Sequence, residues 1–283
     1  MRNPFRRWTP SKVQSPYLSD EQREQWRTSG FVVLSAFFDE ETIQCANAEL
    51  DDLWSSRFSP NNSLVIDVFD GSPARRYLRD AKDEARSHVY KLNDVFLEST
   101  LTRDLALDDR LAGILNELVD GEVSICNSLH FERGSEQPLH FDTYYMPPPA
   151  NGKLIVTSIC LEDVHPDAGP VRYVPGSQSI PPYFNTGGTR HARNNIELAE
   201  ATSHAQRHID ELGLQTETFL GRRGDVLIWH EQLYHGGSPI IDRDRTRRSL
   251  VTHYWRTAEL DPSTLAPHRS AHYLNRNHQP VAP

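Results

Sequence analysis

The spacing of apolar residues along the chain changes at residue 121. Before that point it is mostly helical. Ser19-Asp20-Glu21-Gln22 has the form of a capping box, and Gly30 is placed to end the helix it would start. The run Phe31-Val32-Val33-Leu34 predicts a short buried strand. Asp39 then caps a second helix that brings Ile43, Ala46, Leu50 and Leu53 to one side. A third helix is predicted over residues 102–119, with Leu111, Ile114, Leu115 and Leu118 as its apolar stripe. Residues 1–18 contain three prolines and no periodicity, and read as an extended arm.

After Gly121 short apolar runs alternate with turn residues, over 122–132, 137–145, 153–162, 171–174, 216–220, 225–229, 232–235 and 248–256. Runs of this length and spacing predict a mainly β fold with flanking helices. The expected core is a double-stranded β-helix, the jelly-roll or cupin-like arrangement of two facing sheets, over residues 121–256. Helices within 19–120 would brace one sheet from outside. Residues 176–214 interrupt the strand pattern. They open on a stretch rich in proline and glycine and turn helical around 195–212. Long insertions of this kind in a compact domain are commonly lids. Residues 257–283 form a tail, and the whole of 19–283 reads as one domain.

Composition narrows the function classes. The net charge of −9 argues against a nucleic-acid partner, since no broad basic surface is implied. No apolar run approaches the roughly 20 residues that span a bilayer. The basic N-terminus lacks the apolar core of a secretory signal. Cys45, Cys126 and Cys160 are isolated and odd in number, which suits reduced thiols and a cytoplasmic setting.

Against this background one constellation carries chemistry. In His140-Phe141-Asp142, read as an extended strand, the imidazole and the carboxylate share a face. His235 follows 95 residues later, at the end of another predicted strand and before Gly236-Gly237, which allows a tight turn beside an ion. Two imidazoles and one carboxylate on one face of a metal leave positions open, the set used by non-haem Fe(II) oxygenases. The chain has 13 histidines, so the HxD pair alone is weak evidence. His230 is a rival ligand, and His253 is a candidate neighbour of the site. His130 either points into the barrel toward cosubstrate or substrate, or is an ordinary buried histidine. A zinc site has the same ligand types, which leaves a metal-dependent hydrolase or isomerase open. An arginine-bearing strand soon after His235 favours the oxygenase, because a 2-oxo acid needs a fixed cation for its far carboxylate.

Five motifs in this order resemble the phytanoyl-CoA dioxygenase family of Fe(II)/2-oxoglutarate-dependent oxygenases. They are His140-Phe141-Asp142, the stretch 167–177, the stretch 224–230, His235-Gly236-Gly237-Ser238, and the stretch 247–254. The resemblance covers roughly residues 20–256. It implies that His140, Asp142 and His235 bind iron and that an arginine on the last strand holds 2-oxoglutarate. The family arginine commonly lies eleven residues after the distal histidine, where this chain has Thr246. It also lies seven residues before an aromatic, as Arg247 does before Tyr254, so Arg247 is the expected residue. Ser249 would share its face, and Thr157 or Ser158 would add a hydroxyl contact. Retention of Asp142 disfavours a halogenase. The implied reaction uses O2 and 2-oxoglutarate to hydroxylate a C–H bond of a small molecule, with release of succinate and CO2.

For the substrate side, Tyr144 and Tyr145 follow the HxD pair, and strand alternation would point one of them into the sheet. Tyr183, Phe184, Asn185, Arg190, His191 and Arg193 belong to the predicted lid. Their charges suit either an anionic substrate or a solvated rim. No acyl-CoA-binding signature is present, and oligomeric state is not legible.

Overall fold

The computed structural model describes residues 15–69 and 74–281. Of the predicted arm, residues 1–14 lie outside this range. In chain order the described elements are α1 (Asp20–Ser29), β1 (Phe31–Leu34), α2 (Glu40–Ser55), β2 (Val65–Phe69), β3 (Ala74–Tyr77), β4 (Val89–Asn93), α3 (Thr100–Ala106), α4 (Asp109–Val119), β5 (Val123–Phe131), β6 (Leu154–Cys160), β7 (Val171–Val174), α5 (Asn195–Leu212), β8 (Glu217–Phe219), β9 (Val226–His230), β10 (Tyr234–Gly237), β11 (Ser249–Arg256), β12 (Leu265–His268) and β13 (Ala271–Leu274).

The strands form two sheets. The larger has the order β1-β9-β6-β11-β5-β4-β2-β3, and the smaller β10-β7-β8. Neighbours along both orders are antiparallel, while β13 adds to β5 in parallel. The face of the large sheet turned to the small one carries Phe131, Leu154, Val156, Leu227, Trp229 and Val251, which pack with Tyr173 of β7. Its other face carries Ile125, Ile155, Ile159, Ile228, Leu250 and Tyr254, packed against α1, α2 and α4 through Trp26, Ile43, Leu111 and Leu115. This is the predicted jelly-roll with its helical brace. Alternation along each strand sends neighbouring residues to opposite layers.

The capping box at Ser19 and the left-handed Gly30 bound α1 as the sequence predicts. Three expectations change. The helix predicted over 102–119 is two helices, because the Asp108 side chain accepts from the Arg110 and Leu111 amides and starts α4 anew. Residues 137–145 are not a strand. His140 makes only an isolated bridge with His235, and Asp142–Tyr144 is a 3-10 turn. The first 120 residues are also more than a brace. They supply β1 to β4, and the tail contributes the β12–β13 hairpin. The predicted lid region holds α5, which packs with Phe141, Tyr144 and Tyr234 through Ala201, Ala205 and Ile209. Among the described residues, no helix is long and apolar enough to cross a membrane.

Candidate metal centre

His140 and His235 are brought together by backbone. The amide of His140 donates to the carbonyl of His235 at 2.8 Å, and the reverse bond is 3.0 Å. The two rings lie 4.6 Å apart. The approach of the two chain segments requires glycine after His235. A Cβ on Gly236 would meet the Gln137 carbonyl oxygen at 2.6 Å, and one on Gly237 would meet the Glu136 amide nitrogen at 2.6 Å. The 3-10 turn at Asp142, rather than strand alternation, then brings the carboxylate to the two rings. One ligand atom from each of His140, Asp142 and His235 lies within 4.8 Å of the others, and all three residues are buried.

The surroundings fix these groups for a metal. His140 Nδ1 is 2.8 Å from the Pro138 carbonyl, and His235 Nδ1 is 2.9 Å from the Leu233 carbonyl. Each ring therefore donates through Nδ1 and leaves Nε2 with a free lone pair, the orientation in which such residues ligate. The indole Nε1 of Trp229 donates to Asp142 Oδ2 at 2.9 Å. The other carboxylate oxygen lies 3.4 Å from His253 Nε2, 3.7 Å from His235 Nε2 and 4.0 Å from His140 Nε2. Burial lowers the pKa of His140 to about 4, so its ring is neutral near pH 7. Burial opposes ionisation of Asp142, but His235, His253 and His140 outweigh it and hold the carboxyl well below its usual range.

The triad opens onto a cavity of about 750 Å³. Arg247 also lines it. Its side chain is buried, its guanidinium carbon lies 5.9 Å from the Phe131 ring, and Nε has no hydrogen-bond partner. Among the described residues no carboxylate pairs with it, and burial lowers its pKa. Ser249 takes the same side of the chain two residues on, and its Oγ also lacks a partner.

Several expected contacts fall elsewhere. Thr157 points to the helical layer, its Oγ1 3.2 Å from the Tyr254 hydroxyl, while its neighbour Ser158 takes the inward position opposite Val251. His130 alternates with the cavity-lining Leu129 and Phe131, so it faces the other layer and does not line the cavity. Tyr144 is buried and donates to the Ala201 carbonyl, whereas Tyr145 lines the cavity beside His140. Tyr183 donates to Glu200, and Phe184 is 49% exposed; neither lines the cavity. Arg190 and Arg193 are engaged by Glu231 and Glu197, so no free basic rim forms there. His230 packs edge-on against Trp26, with Nδ1 accepting from the Gln232 amide. Two neighbours of Asp142 stand out. His253 was legible as a candidate, but Trp229 was read only as part of a strand; its inward parity was the available signal.

The phytanoyl-CoA dioxygenase (PhyH) family model matches residues 26–249. No curated protein sequence matches the chain. Among solved structures, the fold is similar to SnoK, a non-heme alpha ketoglutarate dependent carbocyclase from nogalamycin biosynthesis. Identity is 16% and the TM-score 0.65, over 88% of this chain and 87% of SnoK. It is similar to SnoN, the epimerase from the same biosynthesis, at 18% identity and TM-score 0.62, over 91% of this chain and 98% of SnoN. EctD from S. alaskensis, solved with bound Fe, is similar at 20% identity and TM-score 0.61, over 89% of this chain and 80% of EctD. At these identities the likeness establishes the fold alone.

Proposed function

The chain belongs to the phytanoyl-CoA dioxygenase family, and from that membership we propose that it is an Fe(II)- and 2-oxoglutarate-dependent oxygenase that hydroxylates a C–H bond of a small molecule. The observation that carries this reading is Arg247, a buried guanidinium without a carboxylate partner among the described residues, in the same cavity as His140, Asp142 and His235. An unpaired buried cation is costly unless a ligand completes it. A hydrolase or isomerase using the same triad takes no 2-oxo acid and so does not require this cation for a cosubstrate.

The residues fit both groups. Two imidazoles that present Nε2 and one carboxylate suit Fe(II), and Arg247 offers a planar fork for the distal carboxylate of 2-oxoglutarate. When bound, iron and the 2-oxo acid would together supply the activation of O2, with succinate and CO2 released. The chain's own residues supply geometry. His140 and His235 present Nε2 because their Nδ1 atoms face the Pro138 and Leu233 carbonyls. Trp229 holds one oxygen of Asp142 and leaves the other directed at the two rings. Asp142 also fills the position that a halide would need, which supports hydroxylation over halogenation. Phe131, Val251 and Trp229 keep the surrounding wall apolar, so polar contacts inside are little screened.

Anaerobic protein, freed of metal and reloaded with Fe(II), should give a weak visible charge-transfer band that saturates with 2-oxoglutarate. Arg247→Ala should lose the 2-oxoglutarate dependence while keeping iron. Tight zinc binding with no such band would move the protein to metal-dependent hydrolysis or isomerisation. Substrate-dependent succinate release with a cyclised or epimerised rather than oxygenated product would retain the cofactors but reject hydroxylation; a carbocyclase and an epimerase are among the proteins with this fold.

A further inference from the structure

The cavity wall carries three further cations, Arg75, Lys91 and Arg276, contributed by β3, β4 and the C-terminal tail. Backbone register places the first two in one row with the site. Arg75 lies opposite Asp67, Asp67 opposite Lys91, and Lys91 opposite Phe131, the ring beside which Arg247 sits. Residues opposite one another in a ladder share a face. Two carboxylates serve these three cations. Asp67 accepts both prongs of Arg75, at 2.7 and 2.9 Å, and lies 3.6 Å from the Lys91 ammonium. Asp94 accepts from Arg276 at 2.9 Å and from the Asn127 amide at 2.9 Å. Neither aspartate lines the cavity. The cations therefore present themselves to it with one positive charge in excess among the described residues, in a chain whose overall charge is −9.

Arg75 and Arg276 keep 32% and 31% of their side-chain surface accessible and Lys91 19%, so the excess charge is open to an anion that enters the cavity. The cosubstrate cannot be that anion if it pairs with Arg247. The wall between is apolar, formed by Leu129, Phe131, Val251 and Trp255. We propose that the substrate is a monocarboxylic acid, its carboxylate held by Lys91, Arg75 and Arg276 and its apolar body laid along this wall toward the metal centre. The inference rests on the oxygenase reading for the direction in which the body points. The anion site itself does not depend on it. A single carboxylate balances the excess charge, which is why a monoanion is favoured over a phosphate ester.

The test compares small acids with their primary amides, which match them in size but lack the charge. Protein loaded with Fe(II) and 2-oxoglutarate under argon is titrated calorimetrically with hexanoate, phenylacetate and hexyl phosphate, and with hexanamide and phenylacetamide. At least one acid should bind ten-fold or more tightly than its amide. Lys91→Met and Arg276→Gln should each remove most of that preference without altering the charge-transfer band. Arg276 lies on the tail, so its variant remains informative if Lys91→Met fails to fold. Equal binding of acid and amide, a preference unchanged in both variants, or no saturable binding by any acid would overturn the proposal. Tighter binding of hexyl phosphate, sensitive to the same variants, would overturn the carboxylate assignment in favour of a phosphoryl group. Repeating the comparison with metal-free protein separates the two readings: a band missing from the Fe(II)-loaded wild type counts against the oxygenase, and an acid preference missing from loaded and metal-free protein alike counts against the anion site.

Discussion

The carboxylate of Asp142 is oriented by a hydrogen bond from the Trp229 indole to Oδ2. Partners of this kind set the orientation of a metal ligand, and losing one typically weakens affinity by about 10- to 100-fold. Trp229→Phe keeps the ring in the apolar layer and removes the donor. Iron affinity, measured by competition with a chelator, should fall by about that factor while the fold is kept; unchanged affinity would remove Trp229 from the support of the carboxylate. His130 offers a second test at this scale. Burial lowers its pKa from the ordinary 6.5 to about 4. As pH falls the unfolded chain takes up that proton first. The stability this neutral ring allows is therefore complete above pH 6.5 and is lost as pH falls from about 6.5 toward 4, by ~3 kcal/mol at most. Urea unfolding of metal-free protein across this window should show that loss, and His130→Met should reduce it, leaving the shares due to His140 and His230, whose pKa values burial also lowers. The ligand triad was legible because its residue types and order are unusual. Of the alternatives left open, Ser158 rather than Thr157 takes the inward position and His130 is the buried histidine, because a one-residue difference in strand parity reverses the layer a side chain faces.

At the scale of elements, the predicted lid is tied to the core by a buried ion pair. Arg190 donates to Glu231, whose carboxylate also accepts from the Gly152 and Leu154 amides. Both side chains are almost fully covered. Removing one partner of such a pair leaves an uncompensated buried charge, at a penalty of about 3–5 kcal/mol. Arg190→Met should therefore lower the unfolding free energy by roughly 3 kcal/mol, whereas Arg193→Met, which breaks a pair whose arginine is 52% exposed, should change it by less than about 1 kcal/mol. Equal effects in urea unfolding would mean that Arg190 does not fasten this segment. The helix at 195–212 was readable in outline, and Asn194 and Gly213 cap its two ends. The strands β2 and β4 were not, since Asp67 and Lys91 occupy inward positions where an apolar residue would have completed the alternation. The stretch around His140 misled in the opposite sense: it is apolar and aromatic enough for a strand, yet the Asp142–Tyr144 turn wins.

For the molecule as a whole, the jelly-roll was visible from the rhythm of short runs after Gly121. The full extent of the large sheet was not. Its edge comes from β2 and β3 near the start of the chain, and the tail returns to lie parallel to β5; both pairings are decided by long-range packing rather than local propensity. A folded-state site of this kind couples ligand binding to global stability. Fe(II) together with 2-oxoglutarate, each at about 100 times its dissociation constant, should stabilise the fold by roughly 2.7 kcal/mol per independent ligand. Thermal unfolding under argon should show a rise in Tm with both ligands, and a chelator should reverse it. No change on adding either would place the site outside the cooperative fold.

The mutual backbone bonds between residues 140 and 235 have a consequence for how the enzyme matures. Two of the three donors lie 95 positions apart and meet only when the segment carrying His140 has paired with β10 of the smaller sheet. Before that the chain offers the ion isolated side chains, and drawing them together would require closing a long loop against its entropy. The complete set of donors is thus a property of the folded chain, and an ion that binds it draws on an entropy cost that folding has already met.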